Sequence, residues 1–262
     1  MSKVFEVIKD YIKKINFPPN NPSEAGPLRN SRLYEALPVV FPVFSLLVIL
    51  WCCVVHYMAY SASTYGWEAV LDMRQKFGGP VYKNPYHDPA WKFLTTCYFH
   101  DLGFLPHLLF NMMLIFTLGP LMERGIGIFK TVLFFVVTGF VSSSISGSVS
   151  GITGIGMSGI VYALAGFMWT AWPRWTGFLE RFSGKIIKLL IFWQLICFIM
   201  TWTGAYNFAN AAHISGMIYG ALIGQWACKG NKHGKPWMLL TISFTIFGIA
   251  CALKPMSQWF SF

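Results

Sequence analysis

Charged side chains are scarce in this chain, and their scarcity excludes a water-soluble globule. Asp, Glu, Lys and Arg make up 11% of the 262 residues, whereas 55% are apolar and 18% are aromatic. A soluble domain typically has about a quarter of its residues charged. The composition therefore predicts a membrane protein.

Three other features are missing from the sequence. The six cysteines are scattered without the spacing of metal ligands, which indicates small apolar fillers rather than a metal centre. The first 37 residues carry six lysines and arginines and lack a long apolar core, which argues against a cleavable signal peptide. No repeat or low-complexity segment is present. Because the cysteines form no ligand set, we expect no metal, and we also expect no cofactor.

Long apolar windows dominate the rest of the chain. About 20 apolar residues cross roughly 30 Å of hydrocarbon, and windows of this kind recur seven times, two of them short or broken by glycine. They lie at 38–60, 105–122, 129–149, 157–172, 186–203, 211–228 and 236–254. The predicted fold class is an all-α polytopic membrane protein.

The distribution of basic residues predicts the orientation. Lys and Arg in short loops favour the cytoplasmic side of a membrane, and an inner N-terminus puts most of the 20 basic residues on that side. The formal charge of +10 then reflects topology and a lipid bilayer, not nucleic-acid binding. An odd number of spans places the C-terminus on the opposite side.

Three segments follow from this topology. Residues 1–37 are a basic cytosolic segment and linker, 38–228 are a six-span core, and 229–262 hold an inner loop, the seventh span and a short outer tail. Within the first segment, apolar residues at helical spacing fit either an amphipathic helix on the inner leaflet or a frayed basic tail. Those residues are Val4, Phe5, Ile8, Ile12 and Ile15.

Four polar residues in three spans are expected at one depth. His107 and Asn111 are four residues apart, so they share a helix face at the outer end of the second span. Ser158 opens the fourth span and His213 opens the sixth, and both spans also enter from outside. Polar groups inside a membrane are costly and usually functional. Their common depth predicts a single site.

The depth of Ser158 can be estimated from the length of its helix. The 15 residues from Ser158 to Trp172 give about 22 Å of helix against a core of about 30 Å, so Ser158 lies roughly 8 Å below the outer interface. The preceding loop, 147–156, must then dip into the membrane. Irregular backbone at that depth requires surrounding protein or a water-filled cavity, and such a cavity would serve hydrolysis.

Serine becomes a useful nucleophile when a base takes its proton. His213 is the base available at matching depth, and the only acid beyond Glu123 is Glu180 in an inner loop. We therefore predict a Ser-His dyad rather than a triad. The Ser158 backbone N–H, with Asn111 and His107, would stabilise the oxyanion.

Three motifs become specific when they are taken together. They are HLLFN at 107–111, GMSG at 156–159 followed by Tyr162, and NAAHISG at 210–216. Their sequences and their order resemble the rhomboid family of intramembrane serine proteases over about residues 38–228. The resemblance implies a six-span rhomboid-like helical bundle, to which 236–254 adds a seventh C-terminal span.

The resemblance implies a role for each matching residue. Ser158 matches the family's nucleophile and His213 its base. The supporting positions are His107 and Asn111 at the oxyanion, Gly156 before the serine, Tyr162 stacked on the histidine, and Asn210 ahead of the histidine. One departure is that Glu123 is followed directly by Arg124, where the family often has glutamate-x-arginine.

Glycines on the sixth span explain how Ser158 and His213 could meet. Gly216, Gly220 and Gly224 recur every fourth residue, and small residues at this spacing let two membrane helices approach closely. We therefore expect the sixth span to pack tightly against the helix of Ser158.

The substrates implied by the resemblance are transmembrane segments of other proteins, which would unwind near the outer leaflet before cleavage. Entry would require the fifth span to move, although its aromatics are as readily explained as lipid-facing residues. These aromatics are Phe192, Trp193, Phe198 and Trp202. The oligomeric state is not indicated.

Other interpretations remain open at this point. Ser158 alone could be a helix cap or a packing contact, and an inactive relative would bind transmembrane clients without cleaving them. The pairs His87-Asp88 and His100-Asp101 suggest a metal-dependent hydrolase, although they form no recognised ligand motif. A transporter lacks support, because no matched pair of broken helices is evident.

Overall fold

A computed structural model describes residues 41–152, 154–172, 178 and 182–258. The expected amphipathic helix and linker of the N-terminal segment lie outside the described residues. So do Arg174, Glu180 and Arg181 of the loop between the fourth and fifth spans.

The described residues form nine α-helices and no β-strand. Seven of them coincide with the predicted spans, which confirms the all-α polytopic fold, and two short ones lie in the loop after the first span. In chain order they are α1 (Val43–Ser63), α2 (Trp67–Lys76), α3 (Lys92–Thr95), α4 (Leu105–Ile126), α5 (Ile128–Ser150), α6 (Ser158–Ala171), α7 (Gly184–Trp202), α8 (Asn210–His233) and α9 (Lys235–Leu253).

Helix length separates α6 from the other apolar helices. Within the described ranges, α1, α4, α5, α7 and α9 are long and apolar enough to cross a membrane. Helix α6 has only 14 residues, about 21 Å at the standard rise. This length is less than the roughly 30 Å of a hydrocarbon core.

The loop before α6 is shorter than predicted. Irregular backbone was expected from Gly147, but α5 continues to Ser150. Gly151 ends α5 in the left-handed region, with φ of 67°, which favours glycine. Gly147 serves packing instead, because a Cβ there would lie 2.7 Å from the Phe93 ring. The expectation that irregular backbone starts at Gly147 was therefore wrong.

Helices α6 and α8 are packed backbone against backbone. A Cβ on Gly216 would overlap the carbonyl oxygen of Gly159, and one on Gly220 would overlap that of Ala163. Gly224 lies in the same way against Phe167. The expected close approach of the Ser158 helix is therefore present, and it puts the N-terminal ends of α6 and α8 side by side.

Glu123 joins α4 to the start of α1. Its side chain is buried and accepts hydrogen bonds from the backbone N–H of Phe44 (3.1 Å) and of Ser45 (2.8 Å), and from the Ser45 hydroxyl. A carboxylate at a helix N-terminus satisfies free N–H groups and complements the helix dipole. Glu123 therefore holds the start of α1 although Arg124 follows it directly.

The seventh span, α9, packs against α5 and α8. The hydroxyls of Tyr219 and Thr245 lie 2.6 Å apart across the α8–α9 contact. Near the C-terminal end of α9, the hydroxyl of Tyr86 donates to the carbonyl of Cys251 at 2.7 Å. The span is therefore tied both to the bundle and to the loop after α1.

Candidate active site

Ser158 and His213 are in hydrogen-bond contact. Ser158 is the first residue of α6, His213 lies in the first turn of α8, and Ser158 Oγ is 2.8 Å from His213 Nε2. The glycine contacts between α6 and α8 bring the two helix starts together. The histidine is buried and the serine is half-buried, so a hydroxyl and an imidazole share a sheltered position.

Tyr162 fixes the plane of the histidine ring. It lies one turn after Ser158, and its ring stacks on that of His213 with centroids 4.6 Å apart and planes 5° apart. The Tyr162 hydroxyl donates to the carbonyl of Leu190 at 3.0 Å, which anchors the tyrosine to α7. The imidazole therefore has little freedom to tilt away from Ser158.

The other ring nitrogen of His213 contacts a residue that the sequence analysis missed. His213 Nδ1 lies 2.8 Å from Oε1 of Gln194, and Gln194 Nε2 donates to Oδ1 of Asn210 at 2.7 Å. Asn210 thus reaches the histidine through Gln194. The sequence holds one signal for Gln194, because it is a lone amide in the middle of an apolar span.

His107 and Asn111 lie beside Ser158. Together with Ser158 they line a narrow cavity of about 20 Å³. The Asn111 side chain is buried and donates one N–H to the backbone carbonyl of His107 at 2.7 Å. A side-chain amide has two N–H donors, and this bond uses one of them.

Gly156 shapes the loop that faces His107. Its φ is 108°, a backbone conformation that favours glycine, and a Cβ there would lie 2.6 Å from Cε1 of the His107 ring. Its N–H donates to the carbonyl of Thr96 at 3.2 Å. Gly156 therefore lets the Ser158 loop pass against the His107 imidazole and ties this loop to Thr96.

A larger polar cavity opens above Ser158 and His213. Its volume is about 230 Å³, and Ser146, Ser150 and Asp101 line it with the loop that precedes α8. From that loop, the Tyr206 hydroxyl donates to the Asp101 carboxylate. Burial, followed by the bond to Asp101 and its charge, raises the pKa of Tyr206. Ser158 and His213 therefore border a cavity that several polar side chains line.

His100 lies next to His107, with ring centroids 5.1 Å apart. Burial, followed by the nearby His107 and His56, lowers the pKa of His100 to about 3, so its imidazole is neutral at pH 7. Asp88, the partner of His87 in the suspected metal motif, instead accepts a hydrogen bond from Lys92 at 2.7 Å. Over the described ranges, no three His, Cys, Asp or Glu side chains are grouped to hold a metal ion.

The four aromatic residues of α7 have different surroundings. Trp193 packs against Phe110 of α4, with centroids 5.1 Å apart, and against Phe208 at 6.2 Å. The other three, Phe192, Phe198 and Trp202, are exposed on the protein surface, as expected of lipid-facing residues. Only Trp193 therefore closes the space between α4 and α7.

Comparisons with known proteins agree on one family. Residues 87–230, more than half of the chain, match the family model described as Rhomboid domain. The chain is 30% identical over 176 residues to "Rhomboid protease GlpG" of Salmonella paratyphi A (strain ATCC 9150 / SARB42), covering 66% of this chain and 59% of that protein. It is 31% identical to the protein of that name from Salmonella typhi, with the same coverage.

A third relative, "Rhomboid protease GlpG" of Yersinia pestis (strain Pestoides F), is 32% identical over 157 residues, which are 57% of this chain and 52% of that protein. The chain thus spans less than two thirds of the length of the curated relatives it matches.

Proposed function

The chain belongs to the rhomboid family, and from this premise we propose that it is an intramembrane serine endopeptidase. It is an integral multi-pass membrane protein, as the family and its apolar helices require. The observation that carries the proposal is the 2.8 Å contact between Ser158 Oγ and His213 Nε2 beneath a polar cavity.

In the proposed reaction, Ser158 Oγ attacks the carbonyl carbon of a peptide bond while His213 Nε2 takes the hydroxyl proton. The tetrahedral intermediate collapses, its C–N bond breaks, and the protonated histidine gives its proton to the leaving amine. Water then attacks the acyl-enzyme with His213 again as base, which releases the carboxylic acid product and restores the serine.

The negative oxygen of the intermediate needs hydrogen-bond donors. Three groups are assigned to it, namely the Ser158 backbone N–H at the start of α6, the free N–H of Asn111, and the imidazole of His107. The narrow cavity shared by Ser158, His107 and Asn111 supports this assignment. Gly156 contributes by leaving room for the His107 ring.

The substrates in this proposal are transmembrane segments of other proteins. A helical peptide bond is shielded by its own hydrogen bonds, so the segment has to unwind where it reaches Ser158. The excess of basic residues in the inner segments supports a cytoplasmic N-terminus, an outer C-terminus and an active site open toward the outer face.

The experiment is cleavage of a transmembrane reporter by the purified full chain in detergent. We expect the wild type to cut with or without a chelator, and Ser158→Ala and His213→Ala to lose activity. Ser215→Ala is the matched control, because this buried hydroxyl on α8 bonds only to carbonyls of its own helix, at 2.6 and 3.4 Å.

Other outcomes would overturn the proposal. A wild type that binds the reporter without cutting it would be a client-binding relative. Loss of cutting only in chelator would instead move the chemistry to a metal.

A further inference from the structure

Gln194 is a polar amide inside an apolar helix, and both ends of it are hydrogen-bonded. It lies half-buried in α7, where its Oε1 contacts His213 Nδ1 at 2.8 Å and its Nε2 donates to Asn210 Oδ1 at 2.7 Å. An unpaired amide at this depth would cost several kcal/mol. The two contacts make the residue tolerable there, and one of them is to the proposed catalytic base.

Backbone groups fix the direction of this hydrogen-bond chain. The hydroxyl of Thr201 donates to the carbonyl of Cys197 at 2.8 Å, and its oxygen accepts from the N–H of Phe208 at 3.2 Å. Since the hydroxyl proton is committed to a carbonyl, Thr201 Oγ1 is left only to accept from Asn210. Asn210 therefore turns its Nδ2 to Thr201, at 2.9 Å.

The hydrogen-bond chain continues from Asn210 through Gln194 to the histidine. Asn210 presents Oδ1 to Gln194, so Gln194 donates through Nε2 and presents Oε1 to His213. An oxygen without a proton requires a donor, and so His213 carries its proton on Nδ1. The lone pair of Nε2 is then left facing Ser158, which is the tautomer a general base needs.

We propose that Gln194 is a positioning residue, which fixes the tautomer and the orientation of His213 for proton transfer from Ser158. The inference rests on the proposed function. Gln194 takes the place of the third group in a Ser-His-Asp triad, but it does so as a neutral acceptor. Asn210 and Thr201 in turn hold the amide of Gln194 in the required orientation.

The surroundings of His213 leave this place to Gln194. The titratable groups facing the imidazole are Tyr162, stacked from α6, and His107 from α4, with Asp101 lining the same cavity. In the part of the chain that the structure describes, the side chains hydrogen-bonded to the imidazole are Ser158 and Gln194. A change at Gln194 therefore acts on the histidine directly.

The test compares Gln194→Met and Gln194→Glu in the full chain. Methionine keeps the length but removes the acceptor, and we expect kcat to fall roughly 10- to 100-fold with KM within about twofold. This loss is below the roughly 10⁴-fold effect of a wrong tautomer in a Ser-His-Asp triad. Thr203→Val is the control, because its hydroxyl bonds only to carbonyls of α7.

Glutamate separates positioning from a merely structural bridge between α7 and α8. A carboxylate still accepts from Nδ1–H and favours the protonated imidazole, so activity is retained at high pH while the acid limb of the kcat profile moves up by about one pH unit or more. A bridge alone would be lost in both variants, because neither methionine nor a carboxylate can donate to Asn210 Oδ1, and the two variants would then lose activity alike at every pH.

A second readout keeps the test decisive. The rate of labelling by a fluorophosphonate measures how well His213 acts as a base, and it needs no transmembrane substrate. In this reaction Ser158 Oγ bonds to phosphorus, fluoride leaves, and His213 takes the serine proton. If Gln194→Met does not fold, the pH profile of Gln194→Glu decides alone.

The outcomes distinguish the two proposals. A wild type that neither cuts nor labels overturns the proposed function and this inference together. A reactive wild type whose Gln194 variants match it in kcat and pH profile overturns the inference only.

Discussion

Gly220→Ala should separate the proposed catalytic pair through an effect two helical turns away. An added Cβ would overlap the Ala163 carbonyl oxygen and lie 2.6 Å from its carbon, whereas ordinary contacts begin at 3.4 Å. Because the obstacle is backbone, α6 and α8 must part by roughly 1 Å. The Ser158–His213 contact of 2.8 Å would then exceed the usual hydrogen-bond range of about 3.2 Å or less.

The expected effect has two components. Overpacking of this kind costs about 1–3 kcal/mol of stability, although alanine is intrinsically the better helix former by about 1 kcal/mol. A misplacement of about 1 Å costs roughly 100-fold in rate. Thermal unfolding would measure the loss of stability, and kcat of reporter cleavage would measure the loss of rate. Both losses should be larger for Gly220→Val than for Gly220→Ala.

The control is Gly103→Ala, whose added Cβ meets only an Asp101 oxygen at 3.4 Å, an ordinary contact. We expect it to behave as wild type. The reasoning would be refuted by a Gly220→Ala variant as stable and as active as wild type, because close packing of α6 and α8 would then not position Ser158 against His213.

Three further predictions concern single side chains. Tyr162→Phe keeps the stacking on His213 and loses only the bond to Leu190, so its kcat should stay within about threefold of wild type. Tyr162→Ala loses the stacking as well and should lower kcat at least about tenfold. Equal kcat values for the two variants would show that the stacking has no role in the reaction. Glu123→Ala leaves the buried N-terminus of α1 without its acceptor and should cost about 3 kcal/mol in thermal unfolding; an unchanged Tm would contradict this. His100 has a folded pKa of about 3, below its ordinary value of 6.5, so the unfolded chain binds the extra proton and stability falls as pH drops from 6.5 toward 3. His100→Leu should therefore make Tm less dependent on pH between 6.5 and 3. An unaltered slope of Tm against pH would contradict the lowered pKa of His100.

The seven spans could be predicted from the sequence because hydropathy and the thickness of a bilayer act locally along the chain. Each predicted window coincides with a helix, including the short α6. The glycine ladder was equally informative, since Gly216 and Gly220 have no steric alternative once α8 lies against α6. The sequence also predicted that Ser158 and His213 are partners, from their expected common depth and their motifs.

Contacts between helices were harder to predict from the sequence. Gln194 and His213 are only 19 positions apart, but their meeting depends on the rotation of α7 about its axis, which no local pattern records. The same rotation directs Trp193 toward Phe110 while Phe192 faces outward. Glu123 is a similar case, because its partners on α1 lie 78 and 79 positions away.

The sequence by itself determined that the chain is a membrane-embedded helical bundle and which helices it contains. These properties depend on the cost of placing each side chain or free backbone group in hydrocarbon, and that cost is set residue by residue. The tertiary structure alone decided which groups meet across helices. Such contacts depend on rotation, tilt and close packing, which arise from all the helices at once, and so the hydrogen-bond chain from Thr201 through Gln194 to His213 exists only in the assembled fold.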